Sequence, residues 1–341
     1  MSKTDTWQES QQDESTIMRV RDLEVYFDMS RGESRVVDDI DLDLERNEIL
    51  GVVGESGSGK SMLAASLLDA VVDPGVTNGE VTYIEEDGTE TDVLGLSKKE
   101  LKRFRWETVS RVFQGAMSSF NPVTDIRTHF EETLIAHEAD LDEGMDRARE
   151  IISDLHLDPE RVLDAYPHEL SGGMKQRALI ALSLVLEPEV LVMDEPTAAL
   201  DLLMQRSIIT LINEIKEKYD LTIVFITHDL PLITGLADRL AVMYAFQLVE
   251  RGPAKEVVRN AAHPYTRALL NSTPNLQTPL DEMRPVEGSA PDPINVPPGC
   301  SYHERCPIAT DICEAEDPDP YDVTDDHEAN CHHWEETLEM E

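Results

Sequence analysis

Within one short stretch, Gly54-Glu55-Ser56-Gly57-Ser58-Gly59-Lys60-Ser61, the chain collects three glycines, a lysine and a terminal hydroxyl. Glycines let backbone N–H groups close around an anion, and a helix that begins where such a loop ends adds positive potential. The pattern is Walker A: Lys60 is expected to contact the β and γ phosphates of a nucleotide, and the Ser61 hydroxyl to bind Mg2+. Val190-Leu-Val-Met-Asp194-Glu195 is an apolar run ending in two carboxylates. Nucleotide hydrolysis uses both, Asp194 for the hydration shell of the Mg2+ and Glu195 to polarise the attacking water. A third stretch, Leu170-Ser171-Gly172-Gly173-Met174-Lys175-Gln176-Arg177, reads as a helix start capped by Ser171, and so as a second anion site far along the chain from the first.

These groups need a scaffold. Ile49-Leu-Gly-Val-Val53 is suited to a fully buried strand, so strand, phosphate loop and the apolar helical segment from Met62 to Val72 follow in order. Val109 to Phe113, Val190 to Met193 and Leu221 to Ile226 read as further buried strands, with a helical pattern from about Leu202 to Lys218, which predicts a mainly parallel α/β sheet. Ile17 to Phe27 and Val37 to Leu44 read as strands of an antiparallel edge sheet. Thr77-Asn-Gly79 predicts a turn between short strands, and Ser97-Lys-Lys-Glu100 a helix capping box. From about 123 to 186 the pattern is helical, a subdomain inserted between two strands. After Gly252 the composition shifts, and from Pro274 to Pro320 Pro and Asp are frequent. The expected division is a disordered acidic tail at 1–15, a nucleotide-binding domain at 16–253 and an extension at 254–341.

Lys and Arg total 29 against 69 Asp and Glu, a net charge of −40. The acid is spread along the whole chain, which argues against sequence-independent nucleic-acid binding and for a salt-rich cytosol. The first fifteen residues lack the charged and apolar regions of a signal peptide. The longest apolar run, Ala178 to Leu186, is far short of the ~20 residues that cross a bilayer, so a membrane pore has to be a separate chain.

The three motifs together, with Leu170-Ser171-Gly172-Gly173 discriminating, are similar to the ABC ATPase family. That resemblance implies an α/β fold with a RecA-like core sheet, an antiparallel edge sheet and an inserted helical subdomain. It also implies two composite ATP sites in a head-to-tail dimer, where Ser171, Gly172 and Gly173 of one subunit close over the γ-phosphate held by the other's Walker A. In the same way Gln114 resembles the Q-loop glutamine that senses Mg2+ and links to the pore subunit. Asp201 of Ala199-Leu-Asp201 resembles the D-loop aspartate that touches the opposing site, and His228 the switch histidine on the γ-phosphate. Phe27, with Tyr26 as rival, stands where the family has its adenine-stacking aromatic. Met62, where the wider family often has Thr, leaves the phosphate contacts intact.

Gln114-Gly-Ala-Met-Ser-Ser-Phe-Asn-Pro122, Tyr166-Pro-His-Glu-Leu-Ser-Gly-Gly173 and His263-Pro-Tyr-Thr266 resemble the peptide importer subfamily in particular. The implied partners are two transmembrane permease subunits, a second, non-identical ABC ATPase and an extracellular substrate-binding protein, with this chain peripheral on the cytoplasmic face of the membrane. Dipeptides or oligopeptides are the implied cargo, with nickel or oligosaccharides as alternatives within the subfamily. A soluble ABC ATPase of translation or DNA repair is disfavoured, because the chain has neither a second ATPase unit nor a coiled-coil insertion.

All four cysteines, Cys300-x5-Cys306-x6-Cys313-x17-Cys331, fall in the extension. Disulfides are disfavoured in a reducing cytosol, and the spacing lacks the close pairs usual for structural zinc. Similar dipeptide importer ATPases hold a [4Fe–4S] cluster on four such thiolates, so a cluster is the implied cofactor beside ATP and Mg2+. Zinc or free thiols are the alternatives, and His303, His327, His332 and His333 could replace a ligand. The expected role is structural: a staple for a segment poor in apolar residues, with no evident link to the nucleotide site.

Overall fold

The computed structural model describes residues 15–113, 119–198, 200–272 and 288–340. The proposed tail, apart from Ser15, and Gln114 lie outside the described residues, as does Ala199. Two long strands, β1 (Thr16–Met29) and β2 (Gly32–Glu45), pair antiparallel, burying Ile40, Leu42 and Leu44 while the aspartates between them face outward. Then come β3 (Ile49–Val53), α1 (Lys60–Ser66), β4 (Gly75–Ile84), β5 (Glu90–Asp92), α2 (Lys98–Arg103) and β6 (Val109–Val112). The four strands β2-β1-β4-β5 form one antiparallel sheet. Helix α1 is shorter than the apolar segment suggested, and α2 begins with the expected capping box of Ser97 and Glu100.

Thr77-Asn-Gly79 is not a turn; it lies inside β4. The pairing of β1 with β4 shifts between Arg21 and Glu24, and Gly79, at φ 96°, faces that bulge. A Cβ on Gly79 would stand 2.3 Å from the Asp22 carbonyl oxygen, so the glycine answers to a close backbone approach.

Among the described residues the α-helices α3 (Ile126–Ala136), α4 (Leu141–Asp154), α5 (Pro159–Leu163) and α6 (Gly172–Leu184) lie between β6 and the next strand. Asp125, Asp140, Asp158 and Ser171 cap them, each accepting a hydrogen bond from the backbone N–H three residues on. The chain continues through β7 (Val190–Asp194), α7 (Leu202–Tyr219), β8 (Thr222–Thr227), α8 (Leu230–Thr234), β9 (Arg239–Tyr244) and β10 (Gln247–Pro253). The extension carries α9 (Ala254–Arg259), α10 (Pro264–Ser272), α11 (Asp311–Ala315), β11 (Tyr321–Thr324), β12 (His327–Ala329) and α12 (Trp334–Glu339).

The second sheet has the order β11-β12-β10-β9-β3-β8-β7-β6. Its five strands from β9 to β6 are parallel and nearly all buried, and β10, β12 and β11 continue it antiparallel. The extension is therefore part of the core sheet. Glu250 on β10, fully buried, takes N–H bonds from Ala262 (2.7 Å) and His263 (3.1 Å) and pairs with His327 Nε2 at 2.8 Å. His327, one of the histidines considered as a metal ligand, is committed to that pair.

Candidate nucleotide site

The loop 54–61 leaves the C-terminal end of β3 and turns into α1, in the crevice where parallel α/β sheets hold ligands. Gly54 and Gly59 have φ of 155° and 104°; a Cβ on either would stand 2.2 Å from the Met243 carbonyl oxygen or 2.3 Å from that of Val36. Both close approaches exclude every other residue. A Cβ on Gly57 would meet nothing within 4 Å, so the crest of the loop is open. Lys60 is buried, with Nζ 2.8 Å from the Gly54 carbonyl, 2.7 Å from that of Glu55 and 3.4 Å from Ser58 Oγ. Burial pulls its ammonium down to about 8, against the raising influence of Glu195, Asp194 and Glu55.

Strand β7 lies two places from β3 and delivers its carboxylates to the same edge. Ser61 Oγ donates to Asp194 Oδ1 at 3.1 Å, which joins the two residues expected to share Mg2+. Asp194 Oδ2 meets Arg111 Nη2 at 2.7 Å, both side chains largely buried, and the guanidinium stacks on Phe113 at 4.9 Å. Arg111 was not singled out from sequence. The available signal was a cation inside the short strand Val109-Ser-Arg-Val112, where a buried charge needs a partner.

Glu195 follows the strand at φ 46°, its N–H donating to the Ile226 carbonyl at 3.0 Å, and Oε1 lies 3.1 Å from His228 Nδ1. The strand ends of β7 and β8 thus bring the expected base and the expected switch histidine together. Ser171 caps α6 by accepting from the Met174 N–H at 3.3 Å, and Asp201 caps α7 by accepting from Leu203 and Met204 at 3.0 Å. These two helix starts touch: a Cβ on Gly173 would overlap Met204 Cε at 1.9 Å. Phe27 is half-buried at the end of β1, its ring against Gly75, and neighbouring Tyr26 is also half-buried. Met62 is half-buried against the core beneath the antiparallel sheet.

The four cysteines line one pocket with His263, Tyr302, His303 and His333, the turn being closed by a Cys300 N–H to Cys313 carbonyl bond of 2.8 Å. Burial raises the Cys300 thiol to about 11 and the Cys331 thiol to about 12, and pushes that of Cys306 in the same direction. Among the described residues no three His, Cys, Asp or Glu side chains converge on a single metal ion. His263 is buried, and burial lowers its imidazole to about 3, so it is neutral. Its Nδ1 accepts from the Tyr265 N–H at 3.0 Å, which puts the proton on Nε2, a buried atom with no hydrogen-bond partner.

Residues 37–198 match the ABC transporter family, and residues 249–313 match the C-terminal region of oligopeptide/dipeptide transporters. The dipeptide transport ATP-binding protein DppD of Caldanaerobacter subterraneus subsp. tengcongensis is 38% identical over 325 residues, covering 94% of this chain and 98% of its own. The oligopeptide transport ATP-binding protein OppD of Salmonella typhimurium is 37% identical over 325 residues, covering 93% and 94%. A bacterial ABC transporter cassette solved as a dimer superimposes with a TM-score of 0.60 at 24% identity over 70% of this chain and 99% of its own, a likeness of fold. With both regions matched in order and relatives aligned almost end to end, the chain belongs to the ATP-binding subunits of dipeptide and oligopeptide ABC transporters, the ATP-hydrolysing motors of that class.

Proposed function

We propose that this motor drives uptake of dipeptides or oligopeptides through two separate permease subunits, paired with a second, non-identical ATPase at the cytoplasmic face of the membrane and supplied by an extracellular substrate-binding protein. The observation that carries the reading is the convergence of Lys60, Ser61, Asp194, Glu195 and His228 on one sheet edge, in a chain whose extension matches the peptide transporter type. The backbone N–H groups of residues 54–61 hold the phosphates, and Lys60 exchanges its loop carbonyls for phosphate oxygens. Ser61, Asp194 and Gln114 would hold Mg2+, which would neutralise charge on the phosphates. Glu195 orients a water and draws its proton as the water oxygen bonds to the γ-phosphorus; the bond to the bridging oxygen breaks and ADP leaves. His228, held by Glu195, contacts the γ-phosphate, and Phe27 stacks on adenine. Ser171, Gly172, Gly173 and Asp201 complete the site of the partner ATPase.

We also infer a [4Fe–4S] cluster on Cys300, Cys306, Cys313 and Cys331. The observation that supports it is that all four cysteines line one pocket, where their thiolates would be the ligands. The unpartnered Nε2–H of His263, in the same lining, is a donor suited to a cluster sulfur. The net charge of −40 supports a salt-adapted protein. The test is membrane purification of the tagged chain followed by uptake of a labelled dipeptide. Co-purification with a permease and a second ATPase, and loss of uptake on deletion, is the expected result; intact peptide uptake without the chain would overturn the cargo.

A further inference from the structure

The extension reaches the phosphate loop directly. Arg305, one residue before Cys306, makes a two-pronged bond to the Glu55 carboxylate, Nη1 to Oε2 at 3.0 Å and Nη2 to Oε1 at 2.9 Å. Its guanidinium also donates to Tyr244 Oη at 3.1 Å and lies over the rings of Tyr244 and Tyr302 at 5.4 and 5.6 Å. Those tyrosines form one aromatic cluster with Tyr265, with ring centroids 4.6 to 5.5 Å apart. From α10, Tyr265 Oη accepts the Glu55 N–H at 2.8 Å, while the Glu55 carbonyl accepts from Lys60. Every polar group of Glu55 is thereby engaged, two of the three by the extension.

We propose that Arg305 is a positioning residue for ATP binding: it fixes Glu55, and with it the N–H groups of the phosphate loop, and neutralises a carboxylate that would otherwise repel the phosphates. This rests on the nucleotide site read above. A paired arginine matches a carboxylate in geometry as well as charge, which a lysine does not. Without Arg305 the Glu55 charge is left only partly exposed beside a polyanion, in a setting where screening is weak. The turn that bears Cys300 and Cys306 is thus one link from the phosphate loop, contrary to the expectation that the cysteine region and the nucleotide site are independent.

The experiment is titration of the full chain with mant-ATP, together with ATPase kinetics. Arg305→Ala is expected to weaken binding roughly tenfold, seen as a raised KM with kcat changed less than about twofold. Arg305→Lys should recover part of the loss. Adding Glu55→Gln to Arg305→Ala should recover most of it, since the unpaired charge is then gone; a merely structural role predicts further loss and no recovery. Should the alanine variant fail to fold, the lysine variant decides by the same KM against kcat comparison. Wild-type affinity in a folded Arg305 variant, or additive losses in the double variant, overturns the proposal. If the wild-type chain itself binds no mant-ATP, or Lys60→Ala binds as well as wild type, the underlying nucleotide site fails instead.

Discussion

Asp194 is shared between Ser61 and Arg111, so the proposed Mg2+ site includes a cation that no motif announces. Its Oδ2 is pinned at 2.7 Å by a buried guanidinium, which orients the carboxylate but lowers the local negative charge that a metal would meet. Arg111→Met should therefore tighten Mg2+ in the ATP-bound state while costing on the order of 3 kcal/mol of stability, since a buried carboxylate loses its charged partner. Mg2+ dependence of ATPase activity and a denaturant melt measure the two effects; an unchanged Mg2+ requirement would contradict the assignment. The motif residues themselves were legible, because each needs a chemical type at a fixed distance from a strand end. Arg111 and Arg305 were not, because their partners stand 83 and 250 residues away in sequence.

At the scale of elements, the buried parallel strands were readable from apolar runs such as Ile49–Val53 and Val190–Asp194, and the antiparallel pair from alternation. The extension's hairpin was not: β12 is three residues with little apolar content, and its pairing with β10 on one side and β11 on the other makes it a strand. Gly79 misled for a related reason, since a bulge and a turn ask for the same residue. Just before β3, Glu48 is buried, with Oε2 lacking a hydrogen-bond partner, and burial raises its carboxyl to about 7. Because the folded value exceeds the unfolded one, the folded state binds more protons between about 4.5 and 7, and Glu48 makes stability fall as pH rises through that window. Glu48→Gln should flatten this slope and raise stability at pH 8 by up to about 3 kcal/mol. Thermal melts at pH 5 and pH 8 check it, and an equal shift at both would contradict it.

For the whole molecule, a net charge of −40 has to be screened before two such surfaces approach. The Debye length falls from about 10 Å at 0.1 M salt to ~3 Å at 1 M, so folding stability and ATPase activity should both rise toward molar KCl. Activity that peaks near 0.1 M and falls at 2 M would contradict salt adaptation. The central claim is that Glu195 serves hydrolysis at a phosphate loop built on Lys60, and the most direct measurement is phosphate release by Glu195→Gln beside mant-ATP affinity. The amide keeps the shape and loses the basic oxygen, so affinity should stay within about twofold of wild type while turnover falls at least ~100-fold. Single-turnover hydrolysis at the wild-type rate in Glu195→Gln would contradict the account.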